Sequence, residues 1–160
     1  MATFAKLDIT NTVTKLIKVG NDVPTSNGPL GENDMHVDGE TYCQNLLGGN
    51  WKQSSMQGLF RQRPAVIGGI YDAEKNVFID PQPYLSWTLN SNNDWQAPVV
   101  RPTSEQLIDN TKVIGTHPDT GETIYGIYAI KWDEENQKWI GRKSDGTILS
   151  WNPNTSSWEE

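Results

Sequence analysis

Four pairs of aromatic residues, Tyr71 and Phe78, Trp87 and Trp95, Trp132 and Trp139, and Trp151 and Trp158, each enclose a short polar run such as Asp-Glu-Glu-Asn-Gln-Lys or Asn-Pro-Asn-Thr-Ser-Ser. Six of the seven tryptophans fall in three of these brackets. In three brackets the second ring follows the first by seven residues, and in the fourth by eight. A chain that reverses through a roughly four-residue loop brings such positions opposite each other. Opposed aromatic side chains are among the better cross-strand pairs, at about 0.2–1 kcal/mol each. The spacing therefore predicts a series of antiparallel hairpins, each stapled by two rings, and leaves the chemistry open.

The rest of the chain fits the same class. Residues 4–7 and 13–19 flank a polar turn and read as an opening hairpin. Residues 20–34 form a Gly-, Pro-, Asn- and Asp-rich loop of about fifteen residues, longer than most connections. Asp38 is placed to cap a short α-helix near residues 38–48, with Tyr42, Cys43, Leu46 and Leu47 on one face and Gly48-Gly49 as its stop. Residues 51–57 and 59–70 are strand candidates, while Pro81 and Pro83 restrict residues 80–84 to an edge or an extended crossing. Residues 97–102 look like a linker, and Thr103-Ser104-Glu105-Gln106 can open at most one helical turn. Beyond it, residues 112–116, a turn at 117–121, a long strand over 123–132, residues 139–143, the Asp145-Gly146 turn and residues 147–151 read as a meander. The predicted fold is mainly β, in antiparallel hairpins and sheets, with one short helix. Its predicted domains are an N-terminal β-rich domain over 1–98 and a C-terminal β-meander extension over 99–160.

Composition narrows the function classes. A mean hydropathy of −0.62 and a 35% apolar fraction imply thin cores, for which seven Trp and five Tyr compensate with large buried rings. Thirteen basic against twenty acidic side chains give a net charge of −7, which repels a polyphosphate backbone, so no nucleic-acid partner is expected. Residues 1–8 lack a signal-peptide pattern and no stretch is apolar enough to span a bilayer, so synthesis in cytoplasm without membrane insertion is expected. The single cysteine, Cys43, rules out an intrachain disulfide and paired-thiolate zinc sites.

No residue set commits the chain to catalysis, and no catalytic residue, cofactor or metal is expected. His36, Cys43 and His117 could supply a thiol and base, but no spacing joins them, and Cys43 on the apolar helix face reads as a buried inert thiol. Gly141-Arg142-Lys143-Ser144 resembles the tail of a phosphate loop, yet Asn136 stands where the leading glycine belongs. Asn90, Asn92 and Asp94 alternate as calcium ligands could, without the glycine and closing glutamate of such a loop. The carboxylates of Asp133-Glu134-Glu135 fall at a predicted loop tip, where nothing raises a pKa.

Two groups could meet a partner. Arg61 and Arg63, with Lys52, lie near Trp51 and Phe60, and either contact an acidic surface or occupy the solvated face of a strand, the simpler reading. The rings of Trp132, Trp139, Trp151 and Trp158 could stack on the sugar rings of a carbohydrate if exposed, or form cross-strand core pairs. Their regular spacing favours the pairs.

Residues 1–8, Leu46-Leu47-Gly48-Gly49-Asn50-Trp51-Lys52-Gln53, Phe60-Arg61, Ile67-Gly68-Gly69-Ile70-Tyr71-Asp72, Val77-Phe78-Ile79-Asp80-Pro81-Gln82-Pro83-Tyr84, Trp87-Thr88-Leu89-Asn90 and Trp95-Gln96-Ala97-Pro98 resemble, in this order, small virion structural proteins of tailed phages infecting marine bacteria and cyanobacteria. The resemblance covers about residues 1–98, and the motifs are specific as a set. It implies a non-enzymatic virion protein. The leading expectation is a decoration or cement protein bound to major capsid protein through the N-terminal domain, with the C-terminal hairpins directed outward. The alternatives are a tail, neck or fibre component and a carbohydrate-binding host-attachment module. Trp132 to Trp139 resembles a hairpin with which such proteins commonly end, whereas residues 101–128 and the last bracket look like an elaboration to which no family role carries over.

Overall fold

Strand β1 (Ala2–Leu7) pairs antiparallel with β2 (Val13–Val19), and the turn between them is held by Asp8, whose Oδ1 accepts from the backbone N–H of Thr10 at 2.8 Å and Thr12 at 2.9 Å. The computed structural model describes residues 1–23, 28, 30 and 37–160, so most of the loop expected over 20–34, and His36, lie outside the described residues. Helix α1 (Val37–Leu47) leads into β3 (Asn50–Ser54), which pairs with the other side of β1. The resulting sheet has the order β2-β1-β3, and its central strand is buried on both faces. Ala2 and Phe4 pack on one side with Leu30, Cys43 and Trp51, and Ala5 and Leu7 pack on the other with Val13, Ala65, Tyr71 and Phe78.

Helix α1 meets the sheet through its smallest residue. Gly39 is buried, and a Cβ there would stand 2.6 Å from Phe4 and 2.8 Å from Leu30. Cys43 is buried one turn further on, but Tyr42, Leu46 and Leu47 are exposed, so the apolar face expected to hold all four is not the buried one. Close approach at glycine decides the helix rotation, and that outweighs the larger area of the leucines.

Strand β4 (Ile70–Asp72) and β5 (Val77–Ile79) form the first aromatic hairpin. The strand expected over 59–70 exists only at its end. Arg61 at φ 56° and Gln62 at φ 66° adopt left-handed backbone, which turns the chain instead of extending it. Strands β6 (Thr88–Leu89) and β7 (Trp95–Gln96) are two residues each. After a 3-10 turn at Glu105–Leu107 come β8 (Ile108–Thr116) and β9 (Thr123–Ile127), then β10 (Ala129–Asp133), β11 (Lys138–Arg142), β12 (Ile148–Asn152) and β13 (Ser157–Glu159). The predicted long strand over 123–132 is interrupted at Tyr128, whose N–H turns to the carbonyl of Leu107 at 2.8 Å. The last four strands form one sheet in sequence order. The fold is mainly antiparallel β, 41% strand in five small sheets, with 9% helix.

The chain divides into two compact units: Met1–Pro83 with Ser91–Trp95, and Tyr84–Asn90 with Gln96–Glu160. Trp132, Trp139 and Trp151 form the core of the second, with Tyr84, Trp87, Val99, Ile130 and Trp158 around them. Three brackets fold as their spacing predicts. Tyr71 lies opposite Phe78, Trp132 opposite Trp139 and Trp151 opposite Trp158, each with ring centroids 5.3 Å apart. The fourth does not close as a ring pair: Trp87 packs at 6.3 Å on Trp132 and 5.8 Å on Trp139, in the second unit, whereas Trp95 donates its indole N–H to the Asp80 carbonyl in the first. With the extra residue in this bracket, Trp87 joins the aromatic core of the second unit and Trp95 stays half-buried in the first.

Each bracket also carries a left-handed residue two positions before its second ring: Asn76 at φ 54°, Asn93 at 58°, Gln137 at 48° and Ser156 at 52°. Asparagine tolerates this backbone, whereas glutamine carries the full steric cost of its Cβ. Gln137→Gly is expected to raise stability by about 0.5–1 kcal/mol, read as a higher urea midpoint at unchanged slope. Asn76→Gly is expected to show no gain, because the Asn76 Oδ1 accepts from Arg61 and Tyr71.

Candidate functional site

The sequence-predicted residues fall into two groups, one in each unit. In the first, the left-handed backbone at Arg61 directs its guanidinium inward. Its Nη1 meets Glu40 Oε1 at 2.7 Å and the Gln53 carbonyl at 2.6 Å, its Nε donates to Asn76 Oδ1 at 2.9 Å, and its plane lies 5.4 Å from the Tyr71 ring. Glu40 also accepts from the Gln53 N–H at 2.9 Å and from Lys52 Nζ at 3.2 Å. The Arg61 side chain is only 6% exposed and that of Glu40 12%. Arg63 bridges Asp80 at 2.9 Å and Asp94 at 2.8 Å. The expected solvated strand face is therefore absent, and both arginines are occupied by internal carboxylates. Trp51 is buried with Phe4 and Cys43, its indole N–H donating to the Gly48 carbonyl at 3.0 Å.

In the second unit Trp132, Trp139 and Trp151 are buried and Trp158 is half-buried. Three of these four rings also have their polar edge engaged. Trp132 donates to Glu134 at 2.7 Å, Trp139 to the Val99 carbonyl at 3.0 Å and Trp158 to the Gln106 carbonyl at 2.7 Å. A sugar needs an open ring face, and the rings buried here present each other's faces instead. A cavity of about 190 Å³ beside Trp151 is edged by Arg101, Thr103 and Gln106.

Of the residues weighed for catalysis, His36 lies outside the described residues, and the others take structural roles. Cys43 is 1% exposed, and burial, assisted by the nearby Glu40 charge, pushes its thiol up to about 11. His117 Nδ1 accepts from the N–H of Asp119 at 3.3 Å and Thr120 at 3.4 Å, capping the β8–β9 turn. Hydrogen bonds from Asn136 hold Asp133 below the usual carboxylate range, and those from Ser86 and Trp132 do the same for Glu134. A general acid needs the opposite shift. Gly141 serves packing, since a Cβ there would lie 3.0 Å from the Trp158 ring. Among the described residues no group of three His, Cys, Asp or Glu could hold a metal ion, and no helix is long and apolar enough to cross a membrane.

No protein-family model, curated protein or solved structure matches the chain. The features that remain open to a partner are ones sequence reasoning missed. In hairpin β8–β9, Val113, Ile114 and Ile127 are 60–72% exposed. On the β10–β12 sheet, a cavity of about 370 Å³ is lined by Ala129, Lys131, Ile140, Arg142 and Ile148 together with the backbone neighbours Ile130 and Gly141. The signal for the second was present in the alternation, which places isoleucine at 140 and 148 on the face opposite the tryptophans.

Two outcomes follow from this geometry. Arg61→Met is expected to cost about 3 kcal/mol, because it leaves a nearly buried carboxylate with Lys52 as its one cationic partner beside the Gln53 N–H, whereas Lys52→Met costs under about 1 kcal/mol; chemical denaturation compares them. Cys43 is expected to resist a thiol reagent at pH 8 in the native protein and to react fully once urea unfolds the first unit.

Proposed function

We propose that this chain is a non-enzymatic structural protein of a tailed-phage particle, and that it decorates or cements the outer capsid by binding major capsid protein. The observation that carries this reading is the ordered set of motifs over residues 1–98 and their resemblance to virion structural proteins. The use made of those motif residues supports it. Trp51 and Phe78 fill the first unit's cores, Arg61 ties α1 to β3 and to the β4–β5 turn, and Asp80 holds Arg63. A likeness carried by scaffold residues suits a protein whose task is to present surfaces. The burial of the tryptophans weighs against the glycan-stacking alternative.

Intact particles decide the matter. Mass spectrometry is expected to find hundreds of copies per particle, and cryo-electron microscopy to place the density at icosahedral positions on the shell. A ring of roughly six or twelve copies at the tail vertex would move the protein to the tail apparatus. Absence from purified particles overturns the proposal.

A further inference from the structure

The four-stranded sheet of the second unit has two unlike faces. Ile130, Trp132, Trp139 and Trp151 belong to the aromatic core, so strand alternation sends Ala129, Lys131, Ile140 and Arg142 to the opposite side. There Arg142 lies opposite Ala129 on one side and Ile148 on the other, and Lys131 lies opposite Ile140. A solvated face is ordinarily polar at its centre. Here the centre is apolar and concave, with Ile148 55% exposed and a cavity of about 370 Å³.

Charge indicates what fills it. Neither Lys131 nor Arg142 has an ion pair or side-chain hydrogen bond among the described interactions, although the chain carries seven more acidic than basic residues. Asp133, on the same face, is engaged by Asn136 in its own turn at 2.9 Å. Two unpaired cations bordering an apolar floor match a ligand that presents a carboxylate beside an apolar side chain, and a guanidinium receives a carboxylate through paired hydrogen bonds. The volume lies at the small end of ligand clefts, roughly 300–1,000 Å³, enough for one or two side chains. A nucleic acid would meet the repulsive field of the net charge and gain nothing from the isoleucines.

We propose that the outer face of the β10–β12 sheet, through Lys131, Arg142, Ile140 and Ile148, docks an acidic segment of a protein partner that carries an apolar anchor residue. The inference does not rest on the virion reading: particle density tests that one, and the following titration tests this one, so either can fail alone.

The full chain, labelled at isoleucine methyl groups, is titrated with blocked hexapeptides alternating Glu with Leu or Phe, and with the same peptides carrying Lys for Glu. The acidic peptides are expected to shift the Ile140 and Ile148 methyl signals saturably, and the basic ones are not. Lys131→Glu and Arg142→Glu should each weaken binding about tenfold or more, as expected for loss of a charge-assisted contact, with the amide spectrum otherwise unchanged. Ile148→Asp, at an exposed position, should abolish the shift at Ile140 without unfolding the unit. No acidic peptide binding, shifts confined to other isoleucines, or equal binding of the basic peptides overturns the proposal. Tighter binding of a sulfated oligosaccharide or duplex DNA at the same methyl groups overturns the choice of a protein segment.

Discussion

Two opposed strands bury too little apolar surface to hold themselves together in water, and that constraint governs both units of this chain. Three of the hairpins bring a ring pair, and each pair packs against something outside its own hairpin. In the first unit Tyr71 and Phe78 pack against the face of β1 that carries Ala5 and Leu7. In the second, the Trp132–Trp139 pair meets Trp87, and the Trp151–Trp158 pair lies over Gly141, where the missing side chain lets Trp158 approach the sheet. Edge-to-face packing at these distances adds about 0.5–1.5 kcal/mol per pair beyond the area removed from water. Large rings thus let a polar chain assemble cores from few residues.

Polar groups complete what the rings begin. Arg61 is the clearest case, because one guanidinium joins α1, β3 and the β4–β5 turn. Its carboxylate partner Glu40 in turn satisfies the Gln53 N–H. Such a pair owes little to Coulomb attraction alone, since two ions leave water to form it. Its value lies in geometry: the three hydrogen bonds of one rigid guanidinium are met only when α1, β3 and the β4–β5 turn stand in one arrangement. The turns work on the same principle at smaller scale. Asp8, Asp72, Asp133 and Asp145 each accept a backbone N–H two or three residues ahead, and at Asp8, Asp133 and Asp145 hydrogen bonds within the turn hold the carboxyl below its usual range.

The open surfaces lie where these devices stop. The β8–β9 hairpin carries exposed apolar side chains on two strands, and the outer face of the last sheet sets isoleucines between unpaired cations. Thin cores leave such surfaces because a small sheet covered on one side has no second layer for the other.

The sequence by itself determined the local structure: the positions of the hairpins, the opposition of three ring pairs and the helix near residue 38. Those features follow from spacing, turn chemistry and alternation, all of which act over a few residues. Tertiary structure alone decided what each ring meets, as with Trp87 and Trp95, whose eight-residue spacing looked like a staple. It also turned Arg61 inward through a left-handed backbone that no propensity signals for arginine, and it rotated α1 onto Gly39. The reason is common to all three. Burial and ion pairing are settled by partners 15 to 21 residues away or more, as Asn76 and Glu40 are from Arg61, and a local pattern does not record them.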